Sequence, residues 1–199
     1  EGIFGVIGAD INALKGWEIT KGNRNTTVAV IDTGLDYNHP DLKNQIWINS
    51  KEVNGISGVD DDGNGFIDDL YGMDFANNDS DPFDDHGHGT HIAGTIGASF
   101  NSFGVRGVMG NVSLLSIKYF PKNGPGTTDK AIKCIDYALK MKSNIINASW
   151  GGGNYDPLLL DAIKSANEKG VFIVTAAGNK GENTDIKPHY PSSYDSPNI

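Results

Sequence analysis

Short apolar runs alternate with amphipathic segments along most of the chain. The runs are rich in aliphatic and β-branched residues, are bounded by turn residues, and lie at 27–32, 112–120, 144–149 and 171–176. Runs of this length predict buried strands, and the segments between them are long enough to return the chain to the same edge of a sheet. The pattern therefore predicts strand-helix-strand units and a parallel sheet.

Two of the intervening segments have the signals of helices that pack on such a sheet. Residues 128–142 place Ile and Leu at three- and four-residue spacing, which predicts one apolar face. In the second segment Asp156 can cap a helix, Pro157 fits its first turn, and Gly170 stops it. We expect an α/β fold with a three-layer, doubly wound parallel sheet, in which the run 171–174 is covered on both faces.

Functional side chains are expected where the strands end. Asp32, Ser149 and Asn179 each lie at or just after the end of a predicted strand, which is where open α/β sheets bind ligands. Residues 43–85 form one long irregular segment. We interpret it as a functional or ion-binding insertion rather than a domain boundary.

The charge of the chain is concentrated in one window. Its 199 residues have a formal net charge of -9, and residues 60–85 hold ten Asp with no Lys, Arg or Glu. A local acidic loop predicts bound cations and argues against nucleic acid or an anionic membrane as partner. Cys134 is the only cysteine, so an intrachain disulfide is excluded; its apolar helical setting favours a buried hydrophobe over a nucleophile. No run is long enough for membrane insertion.

Two motifs carry the strongest chemical signal. Residues 30–34 read Val-Ile-Asp-Thr-Gly and residues 86–94 read His-Gly-His-Gly-Thr-His-Ile-Ala-Gly. They resemble the aspartate and histidine motifs of the subtilisin-like serine proteases (subtilases, peptidase S8), in the Asp-before-His order of that family's triad. The resemblance extends from about residue 7 to 199. It implies Asp32 and His88 as catalytic residues, with His88 as general base.

Three further segments appear in the family order. The resemblance implies that Ser149, Trp150, Gly151 and Gly152 bind the substrate backbone on one side and Gly124, Pro125 and Gly126 on the other. It also implies that Ala177 and Gly178 bind the substrate and that Asn179, which follows them, is the oxyanion donor. Polypeptides are then the substrates, and a propeptide or a proteinaceous inhibitor is a further implied partner. Lys180 and His189 are expected near the primary specificity pocket.

The family's Gly-Thr-Ser-x-Ala serine motif does not occur in the 199 residues. We therefore expect residues 1–199 to be an incomplete peptidase domain that lacks its C-terminal part and is inactive alone. A pseudoprotease and a calcium-dependent peptide-binding or scaffold protein remain as alternatives. A zinc site at His86, His88 and His91 is a third interpretation, disfavoured because it leaves the other segments unexplained.

Residues 60–69 have the spacing of a calcium loop. The expected oxygen ligands, with the Phe66 carbonyl among them, are Asp60, Asp62, Asn64, Phe66, and Asp68 or Asp69. Gly65 allows the bend and Ile67 is the expected core anchor. Residue 71 is Tyr rather than the bidentate Glu of an EF-hand, so Asp69 or Asp74 must complete the shell. The alternative is a solvated acidic loop.

A second calcium site is implied by the resemblance alone. It would be held by Asp41 together with Ser99, Asn101, Phe103 and Val105 of the loop that follows the histidine helix. Weak calcium sites fill at about millimolar concentrations, as found outside cells. We therefore expect a secreted or extracytoplasmic protein.

Overall fold

The computed structural model describes residue 6 and residues 8–199, so the first residues of the predicted 1–199 domain lie outside it. In the described part the strands are β1 (Gly22–Asp32), β2 (Gly72–Asp74), β3 (Asn111–Lys118), β4 (Ile145–Ala148) and β5 (Phe172–Thr175). The helices are α1 (Ala13–Ile19), α2 (Ser50–Val53), α3 (His88–Gly97), α4 (Thr128–Lys140) and α5 (Pro157–Glu168).

The strands form one parallel sheet in the order β2-β3-β1-β4-β5. In the registers of β1 with its neighbours, Asp32 lies opposite Lys118 of β3, and Val30 lies opposite Asn147 of β4. The carboxyl ends of the three central strands therefore meet at one edge. This is the edge at which the sequence predicts ligand binding.

Two hydrophobic cores lie on opposite faces of this sheet. Alternate residues of β1 divide between them, since Val28 and Val30 pack towards α3, whereas Ala29 and Ile31 pack towards α4 and α5. This alternation follows from the two-residue period of a strand. The predicted three-layer α/β architecture is confirmed.

Coverage of the sheet is less complete than the apolar run 171–174 suggests. Ile173 of β5 is buried, but Phe172 and Val174 are 63% and 56% exposed. The expectation that this strand is covered on both faces is therefore wrong for the described residues. The reason is tertiary: α3 lies over β1 and β3, whereas β5 is at the edge of the sheet, beyond its reach.

The segment 43–85 is not wholly irregular. It contains α2, and β2 within it pairs with β3, so that Met73 lies opposite Ile117. Sequence patterns missed β2 because three residues are too few to show periodicity. In the described part of the chain, no helix combines the length and the apolar character needed to cross a bilayer.

The start of α5 follows its sequence signals. Asp156 is the N-cap, and its carboxylate accepts hydrogen bonds from the N–H groups of Leu158 at 2.9 Å and Leu159 at 3.4 Å. Pro157 occupies the first turn, where its missing N–H costs nothing. The helix then buries Leu159, Ala162 and Ile163 against the sheet.

We predict that Asp156→Ala lowers the free energy of unfolding by about 1 kcal/mol, because two N–H groups lose their acceptor. Urea unfolding followed by circular dichroism measures this change. Asp161→Ala is the matched control, since Asp161 is exposed on the same helix. Equal effects of the two substitutions would show that the cap does not stabilise α5.

Candidate active site

Asp32 and His88 meet at the carboxyl edge of the sheet. His88 Nδ1 lies 2.7 Å from Asp32 Oδ1. Asp32 is fully buried at the end of β1, whereas the His88 side chain is 47% exposed at the start of α3. A buried carboxylate bonded to Nδ1 selects the tautomer that carries its proton there and leaves Nε2 unprotonated. The arrangement is that of a general base oriented by an acid.

The Asp32 carboxylate has few other partners. Oδ1 also accepts the N–H of Thr33 at 2.8 Å, and buried Oδ2 makes no hydrogen bond within the described residues. A buried carboxylate with so few donors is poorly solvated, and the His88 ring is one of its two polar contacts. Because Nδ1 is occupied by this contact, Nε2 is the ring nitrogen left to face the cavity.

Asp84 fixes the start of α3 and was missed by sequence reasoning. Its carboxylate accepts the N–H groups of His86, Gly87 and Thr90 at 2.8–2.9 Å and the hydroxyls of Thr33 and Thr90. Burial alone would raise the pKa of Asp84, but these hydrogen bonds together lower it. The signal in the sequence was an Asp just before a helix start, a position that favours anions.

A buried lysine supports the same loop. Lys118 ends β3 and is 3% exposed; its Nζ lies 2.9 Å from Asp85 Oδ1 and donates to Phe83 O at 3.0 Å. Asp74 Oδ2 is 3.9 Å away. Because Lys118 lies opposite Asp32 in the sheet register, it ties the loop that precedes His88 to the strand beside β1.

Two adjoining cavities surround the imidazole and the strand end beside it. One is lined by His88, Thr33, Gly124 and Ser149, among others. The other is lined by residues 149–152 and 176–180 together with His189. Ser149 lines both, so the two cavities adjoin at this residue. Together they form the cleft, which is bordered by residues 124 and 149–152 and by the predicted oxyanion residue Asn179. Pro125 and Gly126 line a third cavity with Trp150 and Gly151.

The glycines of the cleft are needed for close packing. A methyl group on Gly151 would lie 2.5 Å from His189 Cε1, and one on Gly126 would lie 2.1 Å from Tyr119 Cζ. Gly178 has a φ of +96°, which favours glycine. Asn179 follows it and is exposed in the cleft, with its side chain free of hydrogen bonds to the described residues.

Comparison with known proteins decides the family. The model of the Subtilase family (Peptidase S8) matches residues 23–198. The chain belongs to the subtilase family. Subtilisin-like protease 1 of Plasmodium berghei is 42% identical over 80% of this chain and 27% of the relative. The major intracellular serine protease of Bacillus subtilis is 39% identical over 92% of this chain and 53% of the relative.

The fold agrees with this assignment. A solved structure titled S41 Psychrophilic Protease has a TM-score of 0.64 and 30% identity, covering 81% of this chain and 48% of that one. The chain thus spans about a quarter to a half of the length of these proteases. The predicted subtilisin-like fold and the predicted family are both confirmed.

The acidic loop of this subtilase brings three carboxylates together. Oxygens of Glu52, Asp62 and Asp69 all lie within 4.8 Å of one another. Glu52 was not predicted, because it precedes the loop in α2 and joins it only in the fold. Its carboxylate accepts the N–H groups of Asp61, Asp62 and Asp68 at 2.8–3.2 Å.

The other predicted loop ligands have structural roles here. The Asp60 carboxylate accepts the N–H groups of Asn64 and Gly65, and that of Asp68 accepts the N–H of Gly58. Asn64 donates through its side-chain amide to Asp69 Oδ2 at 2.9 Å, and its Oδ1 accepts the N–H of Phe66. Asp60, Asp68 and Asn64 thus hold the loop through hydrogen bonds. The three-carboxylate group consists of two other loop residues, Asp62 and Asp69, and of Glu52 from α2.

Ile67 is not the core anchor of the loop. It is 51% exposed, whereas Phe66 packs edge-on against Tyr137 of α4 with ring centroids 4.9 Å apart. Tyr137 also donates its hydroxyl to Asp69 Oδ2 at 2.6 Å. Burial raises the pKa of Asp69 despite this hydrogen bond and those from Asn49 and Asn64. A cation beside Asp69 would favour its ionised form.

Asp41 contacts the loop that follows α3. Its Oδ1 accepts the Asn101 amide at 2.8 Å and its Oδ2 accepts the N–H of Val105 at 3.0 Å. The Ser99 N–H donates to the Asp41 carbonyl, and Phe103 donates its N–H to Asn101. The hydrogen bond from Asn101 and then that from Val105 lower the pKa of Asp41. The predicted second-site residues are therefore neighbours.

The histidine motif does not assemble a metal centre. Of the described residues, only Glu52, Asp62 and Asp69 form a group with the spacing of metal ligands. His88 is bonded to Asp32, and His91 is exposed on α3. Cys134 is buried in α4, and burial raises the pKa of its thiol well above its ordinary value, as expected for an inert hydrophobe.

We predict that Asp84→Asn destabilises this subtilase by about 1–3 kcal/mol at neutral pH, because an amide group replaces an oxygen that accepts hydrogen bonds. Since the folded-state pKa of Asp84 is lowered, its contribution is complete above the unfolded value of about 3.9. This stabilising contribution of Asp84 is lost as the pH falls through its folded-state pKa, which is lower than the unfolded one. Thermal unfolding of wild type and Asp84→Asn between neutral and acid pH measures this.

Asp136→Asn is the control for the loss of one charge, because Asp136 is exposed on α4. It should leave the unfolding temperature nearly unchanged. The difference in unfolding temperature between wild type and Asp84→Asn should become smaller on acidification. A difference that becomes larger would contradict the assigned role of Asp84.

Proposed function

We propose that this chain carries the acid-base pair of a subtilisin-type serine endopeptidase, which hydrolyses peptide bonds through an acyl-enzyme. The observation that carries the proposal is the 2.7 Å contact between buried Asp32 and His88 Nδ1, with the imidazole half exposed in a cleft. The matches to subtilases support it. The nucleophile would be a serine outside these 199 residues.

In this proposal Asp32 and His88 have different roles. Asp32 holds the tautomer of His88 that is protonated at Nδ1, and His88 Nε2 takes the proton of the attacking hydroxyl. The imidazolium formed is stabilised by the buried carboxylate and later returns the proton to the leaving amine. The low solvation of Asp32 favours the first of these steps, in which the imidazolium forms.

The cleft would bind the substrate as an extended strand. Residues 149–152 and 124–126 offer backbone groups on its two sides, and the space where a side chain at Gly124 would begin has only Pro121 Cγ nearby, at 3.8 Å. Asn179 is exposed in the same cleft and would donate its amide to the oxyanion of the tetrahedral intermediate. A propeptide or a protein inhibitor would occupy this cleft in the same way.

We predict that the 199-residue chain neither turns over a peptide substrate nor reacts with a fluorophosphonate probe. Among the described residues, no hydroxyl or thiol hydrogen-bonds to the His88 ring, and Ser149 Oγ instead accepts the Asn147 amide at 2.9 Å. Specific labelling of this chain would contradict the inference that its nucleophile lies elsewhere.

A longer protein that contains these residues should be labelled, and His88→Ala should abolish its turnover. Lys164→Ala on the exposed side of α5 is the control and should keep it. Peptide binding without labelling in that longer protein would favour the alternative, a pseudoprotease or a calcium-dependent scaffold.

We propose further that the enzyme is stabilised by calcium at the acidic loop. Three ionised carboxylates within 4.8 Å repel one another, and the amides of Asn49 and Asn64 and the Tyr137 hydroxyl, which donate to Asp62 and Asp69, carry no net charge to offset this. A cation would offset it, and hard oxygen ligands suit Ca²⁺. Glu52, Asp62 and Asp69 would hold the ion, with Asp60, Asn64, Asp68 and the Phe66 carbonyl as the further ligands expected from the sequence. Asp41 and residues 99–105 would form a second, weaker site.

The proposed site gives a melting-temperature prediction. Calcium at about 100 times its dissociation constant should stabilise the fold by about 2.7 kcal/mol, and a chelator should reverse the change. Asp62→Asn should remove most of the shift, whereas Asp61→Asn in the same loop should keep most of it, because Asp61 is not part of the three-carboxylate group. A melting temperature unmoved by calcium would refute the site.

Secretion remains a prediction from the calcium argument. The Bacillus subtilis relative is named an intracellular protease, so membership of the family does not fix the compartment.

A further inference from the structure

The cavity beyond Ser149 has three basic side chains, those of Lys180, Lys187 and His189, in a lining of mixed polar and apolar residues. It measures about 550 Å³ and lies between the strand-end segments 149–152 and 176–179. Because one of these segments would bind the substrate backbone and the other precedes Asn179, a side chain of a bound peptide would enter this cavity. This inference therefore rests on the proposed protease function.

His189 closes the far side of the cavity. Its imidazole is so near both walls that a methyl group on Gly151 would lie 2.5 Å from Cε1 and one on Gly178 would lie 3.2 Å from Nε2. The residue is fixed through its backbone, since the His189 N–H donates to Ser193 Oγ at 2.9 Å and the Gly152 N–H donates to the carbonyl of Tyr190, the residue after His189, at 2.9 Å. The ring itself has Ser192 Oγ at 3.5 Å from Nδ1. A side chain that enters the cavity would meet an imidazole edge rather than an apolar floor.

Two lysines add positive charge around the imidazole. Lys180 and Lys187 line the same cavity, and the single carboxylate in the lining is that of Glu182. Glu182 is bonded to Lys187 at 2.5 Å, while Lys180 forms no ion pair within the described residues. The lining thus holds one paired lysine, one unpaired lysine and a half-buried imidazole.

The pKa of Glu182 shows how the basic residues of the lining affect a carboxylate at this position. The hydrogen bond from Lys187 and then its charge lower the pKa of Glu182, and Lys180 and His189 act in the same direction. All three basic residues thus favour a negative charge at this position. A neighbouring cavity is different in character, since Tyr119, Phe120, Trp150, Tyr155 and Tyr190 are among its lining residues.

We propose that this cavity selects peptides with a carboxylate side chain, Glu or Asp, at the residue that enters it, and that Lys180 and His189 determine this preference. The carboxylate would lie between the Lys180 ammonium and the His189 ring. The neutral amide of Gln has the same shape without the charge, so the pair Glu and Gln isolates the electrostatic contribution.

The test compares three blocked peptides that differ only in having Glu, Gln or Leu at the entering residue. The 199-residue chain is titrated with each, and the amide signals of Gly151, Gly152 and Gly178 are followed by NMR. We expect the Glu peptide to bind about fivefold more tightly, which is the scale of a partly exposed charge pair. Equal binding, or tighter binding of the Gln peptide or of a Leu peptide, would overturn the proposal.

Substitutions test whether Lys180 and His189 cause the preference for the Glu peptide over the Gln peptide. Lys180→Met and His189→Gln should each reduce the Glu-to-Gln ratio, and Glu182→Gln should increase it by removing the competing carboxylate. Lys169→Met is the control for net charge, because Lys169 lies at the opposite edge of the sheet, before β5. A ratio that Lys180→Met and His189→Gln leave unchanged would refute their role even if the Glu peptide binds more tightly.

Failure of this inference can be told apart from failure of the proposed function. The binding readout needs no turnover, so a Glu preference without proteolysis in a longer protein would support the cavity and refute the protease. Proteolysis with a preference for apolar residues would support the protease function and refute the proposed role of the cavity.

Discussion

The contact between the Asp32 carboxylate and the His88 ring is the constraint on which the rest of the site depends. A fully buried carboxylate at a strand end is tolerated only where donors meet it. Besides the N–H of the adjacent Thr33, the donor here is His88, the first residue of a helix that follows a long loop. The position and orientation of α3 therefore determine whether the His88 ring reaches Asp32. Asp84 fixes that helix start, and Lys118 ties the preceding loop to the sheet.

Carboxylates in this chain serve as organisers of backbone more than as free charges. Asp84, Glu52 and Asp60 each accept two or more backbone N–H groups from loops that would otherwise leave those groups to water. Hydrogen bonds to an ionised acceptor are among the stronger ones, so a few carboxylates can fix long loops without a disulfide. The same concentration of charge creates the repulsion that a bound cation would relieve.

The cleft joins these elements into one surface. Its walls are the ends of the central strands, which the parallel sheet brings to a common edge, and its glycines allow backbone to approach backbone. The charges within it come from a different part of the chain, residues 180–189, which pack back onto the strand ends. The strand ends that form the walls and the basic residues of the lining thus belong to different segments of the chain.

Sequence by itself determined the parallel α/β fold, the family, and the residues Asp32 and His88. These depend on local periodicity and on short motifs that are read along the chain. Only the tertiary structure decided the contacts between distant segments. Glu52 joined Asp62 and Asp69 through α2, Phe66 rather than Ile67 packed on α4, and β5 kept one face exposed because α3 lies over other strands. Such outcomes depend on which segments meet in space, and local patterns of hydrophobicity do not contain that information.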